Sequence, residues 1–243
     1  MDLKGKVILV TGGAKRLGRA ISLGLAQKGA RMAIHYNRSG EEAKDTLKAI
    51  TDKGGEGCLF PADLIGEKEV FKVIQNVSSY FGTVDILINN AAIFEEGSFF
   101  TTTSENWDRH FNINLKAPFL LSQKFAEQVS ENGAGKIIHI TDFRGVKPGV
   151  EHFAYTIAKS ALITMTKSMA KVLAPRITVN ALALGAILSP EGTGEDYFEQ
   201  KIKKIPLKRS GEPSDVVSAI QFLLEGADFI TGATLIIDGG EHL

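Results

Sequence analysis

Apolar residues along this chain follow two alternating rhythms. Short unbroken runs such as KVILVTG read as strands buried on both faces. Longer stretches follow, in which apolar residues recur at three- and four-residue spacing among charges. The first, RLGRAISLGLAQKG, lines up Leu17, Ile21 and Leu25 and stops at Gly29, as an amphipathic helix does. Further strands are predicted in ARMAIHYN, EGCLFPADL, VDILINNA, GKIIHITD, ITVNALAL and ATLIIDGG. Further helices are predicted in EEAKDTLKAITDKGG, KEVFKVIQNVSSYFG, HFAYTIAKSALITMTKSMAKVLAP and PSDVVSAIQFLLEG, with one long helix over SENWDRHFNINLKAPFLLSQKFAEQVSE. Seven strands alternating with helices predict an α/β fold, a doubly wound parallel sheet with helices on both faces. No composition break, repeat or low-complexity tract divides the chain, so residues 1–243 are read as a single domain. The one long stretch without clear periodicity, GAILSPEGTGEDYFEQKIKKIPLKRSGE, follows the sixth strand. Ligands bind at the C-terminal ends of such strands, so residues 185–212 are expected to form a substrate loop.

Composition narrows the class of partner. The chain is 44% hydrophobic and 23% charged, the mix of an ordinary globular protein. Its 28 basic and 28 acidic residues cancel, leaving no basic surplus for nucleic acid. Cys58 is the single cysteine, so no intrachain disulfide forms; it is expected as a half-buried strand residue in a reducing compartment. The apolar run in MDLKGKVILVTGG is too short for a signal peptide or a membrane span, which predicts a cytoplasmic protein. The five histidines are scattered with no H-x-x-x-H pair, so no metal site is expected. A small-molecule substrate remains.

The turn VTGGAKRLGRA joins the first strand to the first helix. Gly12 and Gly18 permit a tight turn and close backbone approach, and the helix N-terminus offers N–H groups to a pyrophosphate. Arg16 stands where dinucleotide-binding turns often carry glycine, and places a guanidinium at the mouth of the site. NAD-binding proteins usually end the second strand with an acid for the ribose 2′-hydroxyl. Here no acid lies between Ala30 and Gly40; the residues are His35, Tyr36, Asn37, Arg38 and Ser39. Cations and donors, with Lys15 and Arg16 nearby, suit a 2′-phosphate, so NADPH is the expected cofactor.

TGGAKRLG, the NNA of Asn89, Asn90 and Ala91, Asn114, AYTIAK and IDGG resemble, in order and spacing, the short-chain dehydrogenase/reductase family. The resemblance covers the whole chain. It implies a Rossmann-type fold, a nicotinamide cofactor, and the pair Tyr155 and Lys159 as catalytic residues, helped by Asn114. Most of the family carry Gly at position 16 and Ser at position 142. T-G-x-x-x-R-x-G with Asp142 in the serine position is similar to the pteridine and dihydromonapterin reductases, as are HYNRS, NNAAIF, HITDF and KVLAPRITVNALAL. That likeness implies that Phe94 stacks on a pterin ring and that Arg16 contacts it. Tyr36, Arg38 and Ser39 would line the 2′-phosphate pocket, and Asp63 and Leu64 the adenine pocket. Leu17, Ala92, Thr141 and Gly185 would complete the cofactor site with Asn90 and Ala91. Ala92 and Leu184 depart from that pattern, replacing a serine and a proline. The family is usually tetrameric or dimeric through its long helices, here the 106–130 and 153–173 regions, which implies a homotetramer or homodimer.

Tyr155 and Lys159 lie four apart on one helical face. A free tyrosine has a pKa of about 10, and a nearby ammonium is expected to lower it and make a better general acid. Lys159 would also anchor the nicotinamide ribose. Asp142 lies thirteen residues earlier, at the end of a strand. In ketone reduction a serine donates to the developing oxyanion; an ionised aspartate would repel it. A pterin instead needs a proton on a ring nitrogen beside the carbon that takes hydride, and its N–H groups suit a carboxylate acceptor. Tyr155 and Asp142 are therefore read as a proton-donating pair, and Asp142 and Tyr155 as substrate contacts. The first expectation is an NADPH-dependent pteridine reductase. The alternatives are an NADPH-dependent ketone reductase of 3-oxoacyl-thioester type and a nucleotide-binding protein without turnover.

Overall fold

Strands β1 (Val7–Val10), β2 (Arg31–Tyr36), β3 (Glu56–Pro61), β4 (Ile86–Asn89), β5 (Gly135–Asp142), β6 (Ile177–Leu184) and β7 (Thr234–Ile237) lie in one sheet, order β3-β2-β1-β4-β5-β6-β7. All pairings are parallel. The computed structural model describes residues 1–131, 133–189, 195–226 and 228–243, the side chains of 195–197 excepted. Strand alternation divides the core in two. Ile8 and Val10 face a layer built by α1 (Arg16–Ala26), α2 (Gly40–Thr51) and α8 (Pro213–Gln221). Val7 and Leu9 face a layer built by α3 (Glu67–Phe81), α5 (Ala117–Gln128) and α6 (Phe153–Leu173). Cys58 is half-buried in β3, as expected of a strand cysteine. Among the described residues no helix is long and apolar enough to cross a membrane.

Two elements differ from the sequence reading. The long helix is interrupted: α4 (Ser104–Phe111) passes through a π-helical turn at Asn112–Lys116 before α5. Pro118 supplies the reason, since it has no N–H for the carbonyl four residues back and its ring crowds that turn. The extra residue of a π turn accommodates the defect and places Asn114 in the core, fully buried. The second difference is α7 (Glu195–Lys204), a helix inside the stretch read as loop. Phe198, Ile202 and Ile205 do carry helical spacing, obscured by the surrounding lysines, glycines and prolines. Residues 190–194 of the expected substrate loop lie outside the described residues.

The chain runs outward from β1 through β2 to β3, then returns to place β4 on the other side of β1. The C-terminal ends of β1 and β4 thus form the topological switch point, where such sheets bind ligands. The order also brings β5 and β6 alongside, in register to the pair Asp142–Leu184. Phe125 of α5 anchors the layer beneath this edge; it is fully buried and packs so closely on Gly135 that a Cβ there would lie 2.8 Å from the ring. Phe125→Ala is expected to cost about 3–5 kcal/mol in urea unfolding, the usual range for emptying an aromatic site.

Candidate active site

Thr11, directly after β1, closes the seam with β4. Its hydroxyl accepts from the backbone N–H of Asn90 (2.9 Å) and Ala91 (3.0 Å). The Asn90 amide donates back to the carbonyls of Thr11 (2.9 Å) and Gly12 (3.2 Å). Gly12 adopts φ 61°, and a Cβ on Gly18 would lie 1.9 Å from the Gly12 carbonyl oxygen, so helix α1 meets the turn only because that position is glycine. His35 braces the turn from below. Its Nδ1 accepts from Gly12 N–H (3.1 Å), which leaves Nε2 to donate to the Ala62 carbonyl (3.2 Å). Beside this turn lies a cavity of about 360 Å³. Gly12, Lys15, Arg16, Leu17 and Gly18 line it from β1 and α1; His35, Tyr36, Asn37, Arg38 and Ser39 from β2; Asp63 and Leu64 from β3; and Asn90, Ala91 and Ala92 from β4.

A second cavity, about 540 Å³, opens alongside and shares Lys15, Arg16, Ala92 and Ile93 with the first. Asp142 and Tyr155 form its floor. The Tyr155 hydroxyl donates to Asp142 Oδ2 at 3.0 Å. Asp142 Oδ1 accepts from the Arg144 backbone N–H at 2.8 Å, which caps the short 3-10 helix Phe143–Gly145. Lys159 lies behind Tyr155, buried, with Nζ donating to the Ile140 carbonyl at 2.8 Å and placed 5.6 Å from the Tyr155 ring centroid. Burial pushes the Lys159 ammonium down to about 8, against the opposing pull of Asp142. Phe94, Arg144, Gly185, Leu188, Phe198 and Lys201 complete the wall.

Residues 12–242 match a family model described as enoyl-(acyl carrier protein) reductase. The 3-oxoacyl-(acyl-carrier-protein) reductase FabG of Staphylococcus epidermidis is 36% identical over 98% of this chain and 99% of its own. The chain belongs to the short-chain dehydrogenase/reductase family. Among solved structures, FolM alternative dihydrofolate reductase 1 from Brucella canis, complexed with NADP, superposes with TM-score 0.95 at 36% identity, covering 99% of this chain and 95% of that one. Its counterpart from Brucella suis, also with NADP, gives TM-score 0.94 at 38% identity over 100% of this chain and 96% of that one.

Within this short-chain reductase the expected residues converge, but several take other duties. Tyr155 was expected below its ordinary pKa; it is held well above it. Burial is the main cause, followed by the Asp142 charge and hydrogen bond, with Arg144 opposing. Burial and Asp142 prevail, so Tyr155 is a neutral phenol that donates. Asn114 touches neither cavity. Its amide grips Ile93 on both sides, accepting from the N–H (2.9 Å) and donating to the C=O (3.0 Å), and so positions Phe94 next door. Lys159 lies behind the wall, and Thr141 ties β5 to α6 through the Lys159 carbonyl (3.1 Å). His35 supports the turn with both ring nitrogens committed. Arg16, at φ 50°, reaches across to the Ser189 carbonyl (2.5 Å) and joins the turn to the segment after β6. The sequence reading missed Arg144, Glu95 and His152. His152 stacks on Phe94 with ring centroids 3.8 Å apart and bonds the Glu95 carbonyl at 2.9 Å. Only the neighbourhood TDFRG hinted at Arg144; nothing in the sequence pairs His152 with Phe94.

Two buried imidazoles link this site to stability. Burial holds His35 down at about 4, opposed by the Ala62 hydrogen bond and the Asp63 charge. Burial, aided by the Lys159 charge, holds His139 at about 3. An unfolded histidine takes up its proton near 6.5, and these do not, so folding stability is complete above that value and falls as pH drops towards the folded values. Urea unfolding is expected to show a loss on the order of 2 kcal/mol per imidazole between pH 7 and pH 5. His139→Gln should flatten that decline; an unchanged slope would mean that His139 takes up its proton while folded.

Proposed function

We propose that this enzyme is an NADPH-dependent pteridine reductase. The observation that carries the reading is the Tyr155–Asp142 hydrogen bond of 3.0 Å in the cavity wall beside Phe94. A carbonyl reductase needs donors facing the oxygen that becomes negative; here an acceptor faces the cavity. A pterin brings its own N–H donors, which a carboxylate can hold, and asks for one proton at a ring nitrogen.

The residues at the switch point fit the cofactor. The Gly12–Gly18 turn lets a pyrophosphate approach backbone N–H groups, and Arg38, Ser39 and Tyr36 present a cation and hydroxyls for a 2′-phosphate. Bound there, NADPH supplies the hydride. Phe94, 37% exposed, offers an aromatic surface for a flat ring while His152 backs it. Asp142 orients the substrate through its N–H groups, and Tyr155, kept neutral, passes its proton to the ring nitrogen and recovers one from solvent. Lys159 keeps a positive charge behind the phenol below about pH 8, so turnover is expected to decline above that pH. A second reading, reduction of a 3-oxoacyl thioester, is favoured by the FabG relatives. The exposed apolar residues Phe119 on α5 and Val172 on α6, flanking a groove with Met165 and Met169, support a homodimer or homotetramer through these helices. The single unpaired cysteine supports a cytoplasmic setting.

The test is NADPH oxidation with dihydrobiopterin, dihydromonapterin and dihydrofolate, beside an acetoacetyl thioester. Pterin turnover should fall by about 10²–10⁴-fold in Asp142→Ser, the usual contribution of acid–base catalysis. Turnover of the thioester alone, improved by Asp142→Ser, would overturn the reading. Arg38→Ala should raise KM for NADPH by roughly 10–100-fold, as loss of a charge-assisted hydrogen bond does, and leave KM for NADH nearly unchanged.

A further inference from the structure

Arg144 is buried to an unusual degree for an arginine beside an open cavity, with its side chain 13% exposed. Its guanidinium lies 3.8 Å from Asp142 Oδ1, and its carbon sits over two rings, 5.4 Å from the Phe94 centroid and 5.2 Å from the Phe143 centroid. It lines the cavity that holds Asp142 and Tyr155. The side chain therefore touches the carboxylate of the proton-donating pair and the aromatic surface offered to substrate at once. We propose that Arg144 is a positioning residue for this reaction: it clamps the Asp142 carboxylate, balances its charge, and presents a planar cation beside the Phe94 ring. The inference rests on Tyr155 and Asp142 acting as the proton pair.

Other charged groups share the surroundings. Lys159 of α6 stands behind Tyr155, and the His110 ring of α4 lies 6.4 Å from the Tyr155 ring. Lys201 of α7 covers Phe143 at 5.2 Å and pairs with Glu241 at 3.5 Å. Lys15, Arg16 and Glu95 line the same cavity. Arg144 differs from these in meeting the carboxylate itself, through its side chain and through its backbone N–H. Arg144→Met and Arg144→Lys remove or change only the first of these contacts and keep the backbone N–H that caps the 3-10 turn.

Removing a cation makes each proton on the pair harder to lose. The experiment is kcat and kcat/KM against pH for the wild type, Arg144→Met, Arg144→Lys, Asp142→Asn and the double variant Arg144→Met/Asp142→Asn, with folding checked by circular dichroism. In Arg144→Met the pH limbs governed by the pair should move upward by about one unit. Arg144→Lys should restore the limb, because it keeps the charge, yet raise KM more than it lowers kcat, because it loses the planar group. In the Asp142→Asn background the displacement caused by Arg144→Met should shrink to the part that Arg144 exerts on Tyr155 directly. An Arg144→Met profile that keeps the wild-type shape, at full or uniformly reduced rate, would overturn the proposal. The profiles are taken with whichever substrate the wild type reduces. A wild type that turns over only the thioester therefore defeats the pteridine reading while the limb shift still decides the clamp.

Discussion

A carboxylate at the end of a strand buried on both faces is costly unless its lone pairs are met. Asp142 ends β5 in that position, and the local structure answers the cost. Arg144 N–H takes one oxygen and the Tyr155 hydroxyl the other. The first contact turns the chain sharply out of the strand into a 3-10 helix. The second requires α6 to lie with Tyr155 within hydrogen-bond reach of β5. Two further ties hold it there, Thr141 to the Lys159 carbonyl and Lys159 to the Ile140 carbonyl. One acid therefore sets where a strand stops, how the loop leaves, and where the longest helix docks. It also adds to what burial does to Tyr155: a buried phenol facing an anion keeps its proton.

At the neighbouring end of the site the constraint is steric. Gly18 must have no side chain, since the Gly12 carbonyl occupies the space. With that contact made, the Thr11–Asn90 seam locks β1 to β4, and the buried imidazole of His35 carries the Gly12 N–H. These contacts hold the turn without help from a ligand, and an element so braced has less to order on binding. Arg16 then links this rigid turn to Ser189 beyond β6, so the two cavities share a wall contributed by strands far apart in sequence.

The relatives show how little of such a frame decides substrate. The chain is 36% identical to a 3-oxoacyl-(acyl-carrier-protein) reductase and 36% identical to an alternative dihydrofolate reductase. Overall identity therefore cannot rank the two chemistries. What distinguishes this cavity is the set of side chains around Tyr155, which are a carboxylate, a guanidinium and a phenylalanine backed by histidine.

The order of strands and helices was legible in the sequence, because strands buried on both faces must be continuously apolar and crossover helices must be amphipathic. The switch-point residues were legible too, since a glycine turn between strand and helix admits few other uses, and so were Tyr155 and Asp142 as partners. What sequence could not show was how polar groups spend their hydrogen bonds. Lys159 was read as the group that lowers Tyr155, but burial of the phenol, followed by the Asp142 charge, holds it high. Asn114 was read as a helper of catalysis, and a π turn forced by Pro118 delivers it to the backbone of Ile93 instead. His152 meets Phe94 although 58 positions separate them in the chain. Periodicity and local motifs follow from what each residue must do with its neighbours in sequence. The ionic state of the site follows from burial and from contacts between distant segments, and only the packed tertiary structure brings those together.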